Sequence, residues 1–370
     1  RLIKSCFDQF RSIHGLTDEE AALLVRSDEI DVLIDLHGLS SGARPGIFAH
    51  RPAPKQGTYL GFIGTTALPW IDFVICDEAL IPPELATYFT EKPLYVKGSF
   101  LPLAPSPATV CHVTRESLGI KPHQFAMGAM GNTYKITQEM FKTWMQILNR
   151  IPDSVLILID DNECTTSNLK KEASKLGVGD EQILFIKRTE HDQFLARLKC
   201  LDVFLDTFPY NCGSTTNDVI HAGVPLVTLQ GRSMVSRMGL SILNELELNE
   251  YVTHDSQEYA GKVLEIYLKK KNGKNVIPSR EIQPFQINEA LISVHKSIKI
   301  NDESIRKSDD LKPAMRLFQI QDRKDGSIVK NEGIIPLFAA NQMHKIWGEW
   351  WIIRDYLIQN HINNRDFYGF

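Results

Sequence analysis

The sequence of 370 residues predicts an α/β protein built on parallel strands. Two observations predict it. Apolar runs of strand length recur with Gly and Pro between them, and from about residue 106 those runs alternate with segments of amphipathic helix period. That alternation is the signature of βαβ units wound on both faces of one sheet.

In chain order, VLIDL, GTYLGF and DFVICD read as three short strands within residues 32–77. Pro102, Pro105 and Pro107 then crowd a short stretch, which marks a domain boundary. Beyond it come strand FAMGAM (125–130) and a helix over 137–151, whose Met140, Phe141, Trp144, Ile147 and Leu148 share one stripe. Strand VLILID (155–160), helix TSNLKKEASKLG, strand QILFI and helix EHDQFLARLKCL follow. Strand VFLD, a loop with a short helix through VIHA, strand PLVTL and helix MVSRMGLSILNELEL complete four or five parallel strands. The expected organisation is a first lobe in 1–105, a second doubly wound lobe in 106–275, and a linker with a helical extension, or the start of a further domain, in 276–370. The last part holds Trp347, Trp350 and Trp351 on one amphipathic segment. Only one helix precedes VLIDL, so the first lobe reads as the C-terminal part of something larger.

With 41 basic and 45 acidic side chains, the net charge of −4 gives no general reason to bind nucleic acid or an anionic membrane. Six cysteines without a CxxC pair fit reduced thiols, hence a cytoplasmic protein, better than a disulfide framework or a zinc site. No apolar run reaches the roughly 18 residues of a membrane span, and the N-terminus carries no signal-peptide pattern.

In open α/β sheets ligands bind beyond the carboxyl ends of the strands. There the stretch YNCGSTTNDVIHAG (210–223) places Ser214, Thr215 and Thr216 at a helix start, with Thr215 or Thr216 as the expected cap. Free N–H groups at a helix N-terminus suit phosphate, although a plain capping box of Thr215 with Asp218 explains the same residues. A second loop, GNTYK (131–135), brings Asn132 and Lys135 to another strand end, where the lysine is a diphosphate ligand or a solvated surface cation. No GxxxxGK[ST] and no GxGxxG after a strand occurs, which leaves a nucleoside diphosphate joined to something else. Asp160, Asp161 and Asn162 form an acidic run, but neighbours at a strand end rarely converge on one ion.

DLHG, SGAR, RPAPKQ, GFIGTT, GNTYK, LDTFPYNCGSTTND and GRSMVSRMGLSIL, in that order over roughly residues 20–265, resemble the catalytic region of the SPINDLY and O-GlcNAc transferase family of GT-B glycosyltransferases. The resemblance implies two Rossmann-like lobes and an inverting, metal-independent transferase. It implies UDP-GlcNAc or another nucleotide sugar such as GDP-fucose as donor, protein Ser or Thr hydroxyls as acceptors, and tetratricopeptide-type repeats in the full-length protein. By the same resemblance Lys135 contacts the diphosphate and Asn132 lies beside it. Ser214, Thr215 and Thr216 form the phosphate turn, Asp218 holds the ribose, and Arg197 belongs to the helix beside the nucleotide. His37 and Lys135 are the catalytic candidates, and Gly38, Arg44, Gly64, Thr65 and Thr66 line the acceptor and sugar cleft. Gly213 stands where an O-GlcNAc transferase has a histidine, which leaves base and sugar open. A sugar-nucleotide epimerase and a nucleotide-binding module without turnover are the alternative readings.

Overall fold

The computed structural model describes residues 9–102, 111–274 and 276, together with the backbone of 316–317. The tryptophan-rich segment 343–362 lies outside the described residues. The chain divides into two compact units, Arg1–Ala104 with Pro284–Phe370, and Pro105–Gln283.

The first unit opens with α1 (Asp18–Ser27), whose start is fixed by a capping box: Thr17 accepts from the Glu20 N–H, and the Glu20 carboxylate accepts from the Thr17 N–H. Then come β1 (Val32–Asp35), α2 (Pro45–Ala49), β2 (Lys55–Thr58), β3 (Phe73–Cys76), α3 (Pro83–Ala86) and β4 (Lys92–Tyr95). They form a parallel sheet in the order β11-β1-β2-β3-β4, where β11 is Arg316–Leu317. Every residue of β1 and β3 is buried, which explains why those strands read as nearly continuous apolar runs, broken only by Asp35.

Two differences from expectation have local causes. The strand expected over GTYLGF is shifted back to Lys55–Thr58, because Leu60 adopts φ +69° and the chain turns there. At Gly61 a Cβ would stand 1.7 Å from the Leu36 carbonyl oxygen, so only glycine passes. The fourth strand, β4, has no apolar run to announce it. It lies at a sheet edge, where Pro93 is tolerated and Lys92 is exposed.

The second unit carries β5 (Phe125–Ala129), α4 (Gln138–Arg150), β6 (Ser154–Ile159), α5 (Glu163–Lys175), β7 (Ile183–Ile186), α6 (His191–Leu198) and β8 (Val203–Leu205). It continues with α7 (Ser214–His221), β9 (Leu226–Leu229), α8 (Met238–Glu245), β10 (Val252–Thr253) and α9 (Ser256–Lys271). The strands run parallel in the order β10-β9-β8-β5-β6-β7, so the sheet has six members where four or five were expected. The sixth is a two-residue strand, too short for a periodic signal. The long helix expected over 234–248 is divided into a 3₁₀ turn, Met234–Ser236, and α8. α4 buries Met140, Phe141, Trp144, Ile147 and Leu148, and α9 contributes the buried Tyr259, Val263 and Ile266.

Two buried carboxylates tie this sheet together. Asp202 accepts from the Ala126 N–H at 2.6 Å and pairs with Arg115 and Lys270, joining the start of β8 to β5 and α9. Asp206, fully buried just past β8, accepts from the Thr228 hydroxyl of β9 at 2.6 Å and from the N–H groups of Thr207 and Cys212 at 2.8 and 2.7 Å. It therefore closes the loop 206–212 on itself.

Burial pushes the Asp206 carboxyl up to about 6, against the opposing pull of the Thr228 and Cys212 hydrogen bonds and the Lys135 charge. An acid whose folded pKa exceeds its unfolded value of about 3.9 favours the folded state while protonated. Its contribution to stability is thus present at low pH and lost as pH rises from about 4 through about 6. Asp206→Asn should remove that component. Urea titrations between about pH 4 and about pH 7 should show wild type losing stability relative to the variant by a few kcal/mol across the window; parallel profiles would show that Asp206 stays ionised throughout.

Candidate functional site

From β5 the chain winds outward through β6 to β7, then returns to β8 on the other side of β5. β5 and β8 are hydrogen-bonded neighbours, with Met127 opposite Val203 and Gly128 opposite Phe204. The strand order reverses between them, and at such a switch point the loops leaving two adjacent strands diverge and open a crevice. Those two loops are 130–137 and 206–213, which overlap the stretches 131–135 and 210–223 singled out in the sequence.

Lys135 ends a 3₁₀ turn, Thr133–Lys135. Its Nζ donates to the Asn211 carbonyl at 3.3 Å and stands 3.8 Å from the centre of the Tyr210 ring. Among the described residues no carboxylate pairs with it. Asn132, at the head of the same turn, accepts from Arg188 Nη2 at 2.6 Å and donates to the Tyr134 hydroxyl at 3.1 Å. Arg188 also donates through Nε to Asp161 at 2.7 Å, and Asp161 accepts from both the N–H and the hydroxyl of Thr133 at 3.0 and 2.6 Å. Burial raises the Asp161 pKa, but the Thr133 bonds and the Arg188 charge outweigh it and hold the carboxyl below its ordinary value. The turn bearing Lys135 is thereby anchored to the ends of β6 and β7.

The helix start differs from expectation. α7 begins at Ser214, with Gly213 as its cap and no side-chain cap bond, so neither Thr215 nor Thr216 caps it and the Thr215–Asp218 box does not form. Asp218 instead lies a turn further in, buried, with Oδ2 3.3 Å from His191 Nε2 at the head of α6. Thr216 is buried and donates to the Cys212 carbonyl at 2.9 Å. The Ser214 and Thr215 hydroxyls have no partner among the described residues, and a helix whose cap is glycine leaves its first N–H groups without a side-chain acceptor. Arg197, in the last turn of α6, donates to the Lys187 carbonyl at 2.6 Å, and burial pulls its pKa down from the ordinary arginine range.

Candidates in the first unit are engaged locally. The buried Asp35 accepts from the N–H groups of His37 and Gly38 at 2.8 and 3.0 Å, closing the loop after β1. Its burial raises the carboxyl pKa against those bonds. Gly38 takes φ +58°, where a Cβ would meet Phe62 at 2.3 Å. His37 Nδ1 lies 3.0 Å from the Ser40 hydroxyl. Arg44 donates to Asp18 and to the Ile13 and Leu16 carbonyls, clamping the chain ahead of α1 to the head of α2. The Thr65 and Thr66 hydroxyls and the Thr66 N–H, which follow Gly64, converge on the buried Glu91. Arg51 reaches Asp72 at 2.9 Å and the Trp70 carbonyl at 2.8 Å, linking the approach to β2 with that to β3.

The acidic run at the end of β6 disperses. Asp160 pairs with Lys187 and accepts from Thr166, Asp161 faces Thr133 and Arg188, and Asn162 caps α5. Sequence reasoning missed His191, Arg188, Asp161 as a loop anchor, and Tyr210. His191 stands 27 residues before Asp218, and no local pattern joins them; the only hint was that each opens or enters a helix at the same sheet edge.

Comparison with known proteins bears on the family and the fold. A rice (Oryza sativa subsp. japonica) protein named "probable UDP-N-acetylglucosamine–peptide N-acetylglucosaminyltransferase SPINDLY" is 33% identical over 264 residues, covering 70% of this chain. An Arabidopsis thaliana protein with the same enzyme name and the suffix SEC is 29% identical over 279 residues, covering 72%. The chain spans 28% of the length of each. The solved structure of a Thermobaculum terrenum O-GlcNAc transferase mutant superposes with a TM-score of 0.67 at 28% identity, covering 81% of this chain and 55% of that one. The two parallel-sheet lobes are those of the GT-B fold. The model of glycosyl transferase family 41 matches residues 6–102 and 104–284, which hold every described strand except β11 and every residue of the β5–β8 crevice, and the chain belongs to that family.

Proposed function

We propose that this chain is the donor-binding and catalytic region of an inverting glycosyltransferase that moves a sugar, GlcNAc in the first instance, from UDP-GlcNAc to protein Ser or Thr hydroxyls. The observation that carries the reading is the pairing, on adjacent strand ends, of an ammonium with no ion-pair partner among the described residues and a helix start without a side-chain cap, whose Ser214 and Thr215 hydroxyls have no partner among those residues. In this reading the acceptor hydroxyl attacks the anomeric carbon from one face while the nucleoside diphosphate leaves from the other, and the charge to be stabilised grows on the diphosphate. Lys135 meets that charge as a cation, and Ser214, Thr215 and the first turn of α7 meet it as preorganised donors. Asn132 borders the diphosphate, Asp218, steadied by His191, takes the ribose hydroxyls, and Arg197 stiffens the helix beside the base. Because these groups supply the positive potential, the reaction as proposed needs no metal ion. His37, Gly38, Arg44, Gly64, Thr65 and Thr66 are assigned to the acceptor side by the family's pattern, with His37 as the candidate base. The free thiols of Cys76, Cys111, Cys164, Cys200 and Cys212 support a reducing compartment, the cytoplasm. No described helix is long and apolar enough to cross a membrane.

Removing the lysine tests the core of this reading. Lys135→Ala should weaken UDP by about tenfold to a hundredfold, the worth of a hydrogen bond to a charged group, and leave uridine almost unaffected, because uridine offers no phosphate. Transfer from UDP-GlcNAc to a peptide should fall by a factor on the order of 10²–10³. Calorimetric titration of both ligands into folded wild type and variant decides it; unchanged UDP affinity would mean that 131–135 is an ordinary surface turn. Asp218→Ala, by contrast, should weaken UDP and uridine to a similar degree, since the ribose is common to both. Loss for UDP alone would move Asp218 from the ribose to the phosphates.

A further inference from the structure

We propose that Tyr210 is a positioning residue for Lys135: the face of its ring holds the lysine ammonium at the mouth of the crevice, so that the cation is already in place when a diphosphate arrives. The inference rests on the nucleotide reading above and adds to it the means by which the lysine is preorganised.

A lysine at the end of a loop has four rotatable bonds and a strongly hydrated head, and its default state is a mobile cation in water. Here the ammonium is fixed from two sides, by the Tyr210 ring at 3.8 Å and the Asn211 carbonyl at 3.3 Å. Both contacts come from consecutive residues of the loop after β8. A ring face attracts the cation through its quadrupole without neutralising it. A carboxylate in the same place would form an ion pair that an incoming phosphate must break. The nearby acid does not do so: both carboxylate oxygens of Asp206 are already occupied, by Thr228, Thr207 and Cys212. Asp161 is engaged by Thr133 and Arg188, and Asp218 faces His191. An ammonium has three donors, of which the Asn211 carbonyl takes one. The charge of Lys135 is therefore held in position and still available to an anion.

The backbone that carries the ring is itself well held. Thr207 donates its hydroxyl to the Tyr210 carbonyl, and the fully buried Asn211 side chain donates to the Thr207 carbonyl at 2.9 Å. Burial pushes the Tyr210 phenol up to about 12, so the residue meets the lysine as a neutral aromatic and not as a phenolate.

The test separates a ring that acts through Lys135 from a ring that merely fills space. UDP, GDP and uridine are titrated by calorimetry into wild type, Tyr210→Leu, Tyr210→Phe, Lys135→Met and the double variant Tyr210→Leu with Lys135→Met. Tyr210→Leu should weaken the diphosphate by about fivefold and leave uridine within about twofold, while Tyr210→Phe keeps the wild-type affinity. In the Lys135→Met background, Tyr210→Leu should cost no further diphosphate affinity. Should Tyr210→Leu fail to fold, phenylalanine bearing successive ring fluorines at position 210 keeps size and shape, and diphosphate affinity should fall stepwise as the quadrupole weakens. An equal loss for uridine and UDP, a loss that persists without Lys135, or a flat fluorination series would overturn the assignment. Wild type that binds neither UDP nor GDP would remove the nucleotide reading along with it, whereas the other failures leave that reading standing.

Discussion

The crevice loop of the second unit depends on one buried carboxylate, Asp206. A parallel sheet covered on both faces has no polar chemistry along its strands, and its backbone groups are satisfied only as far as the strands extend. Beyond β8 the chain must turn back within the interior, and Asp206 makes that possible by accepting two loop N–H groups and the hydroxyl of Thr228. The consequences are cumulative. The loop 206–212 becomes a fixed object, Tyr210 and Asn211 acquire set positions, and α7 starts at Ser214 without a side-chain cap. Burying an acid this deeply is costly, which is why its carboxyl holds a proton up to about 6.

A distinction runs through the polar residues of the chain. In the first unit they close on one another: Asp35 takes the N–H groups of its own loop, Arg44 clamps the approach to α1, and Glu91 gathers Thr65 and Thr66. In the β5–β8 crevice several groups have no such closure. Lys135 has a ring and a carbonyl but no paired carboxylate, and the Ser214 and Thr215 hydroxyls no partner, among the described residues. Polar groups left open beside a buried, rigid loop are what an anion-binding site requires, because the cost of ordering them has been met during folding. The groups around them, Asp161, Arg188, Asn132 and Thr133, are fully engaged and serve to keep the open ones in place.

Much of the architecture was legible in the chain alone. The strands 32–35, 73–76, 125–129 and 154–159 declare themselves as nearly continuous apolar runs, and the α4 stripe from Met140 to Leu148 is the one that is buried. The loops 131–135 and 210–218 stood out by their small residues, and the order of motifs along the chain resembled the SPINDLY and O-GlcNAc transferase family. Elements whose stability comes from neighbours left no such trace. β4 carries a proline, β10 has two residues, and α9 has a charged surface broad enough to blur its stripe.

What the sequence by itself determined is therefore local and periodic: which segments are strands and helices, and which loops carry small donors and a cation. Period and composition act over a few residues, and the chain encodes them directly. What only the tertiary structure decided is who meets whom. Strand order placed β8 beside β5 and so brought residue 135 to residues 210 and 211. It set His191 against Asp218, drew Arg188 across to Asn132, and gave the cap of α7 to Gly213 instead of a threonine. Those pairings span 27 to 76 residues. They are fixed by the packing of the whole sheet, and no pattern along the chain records them.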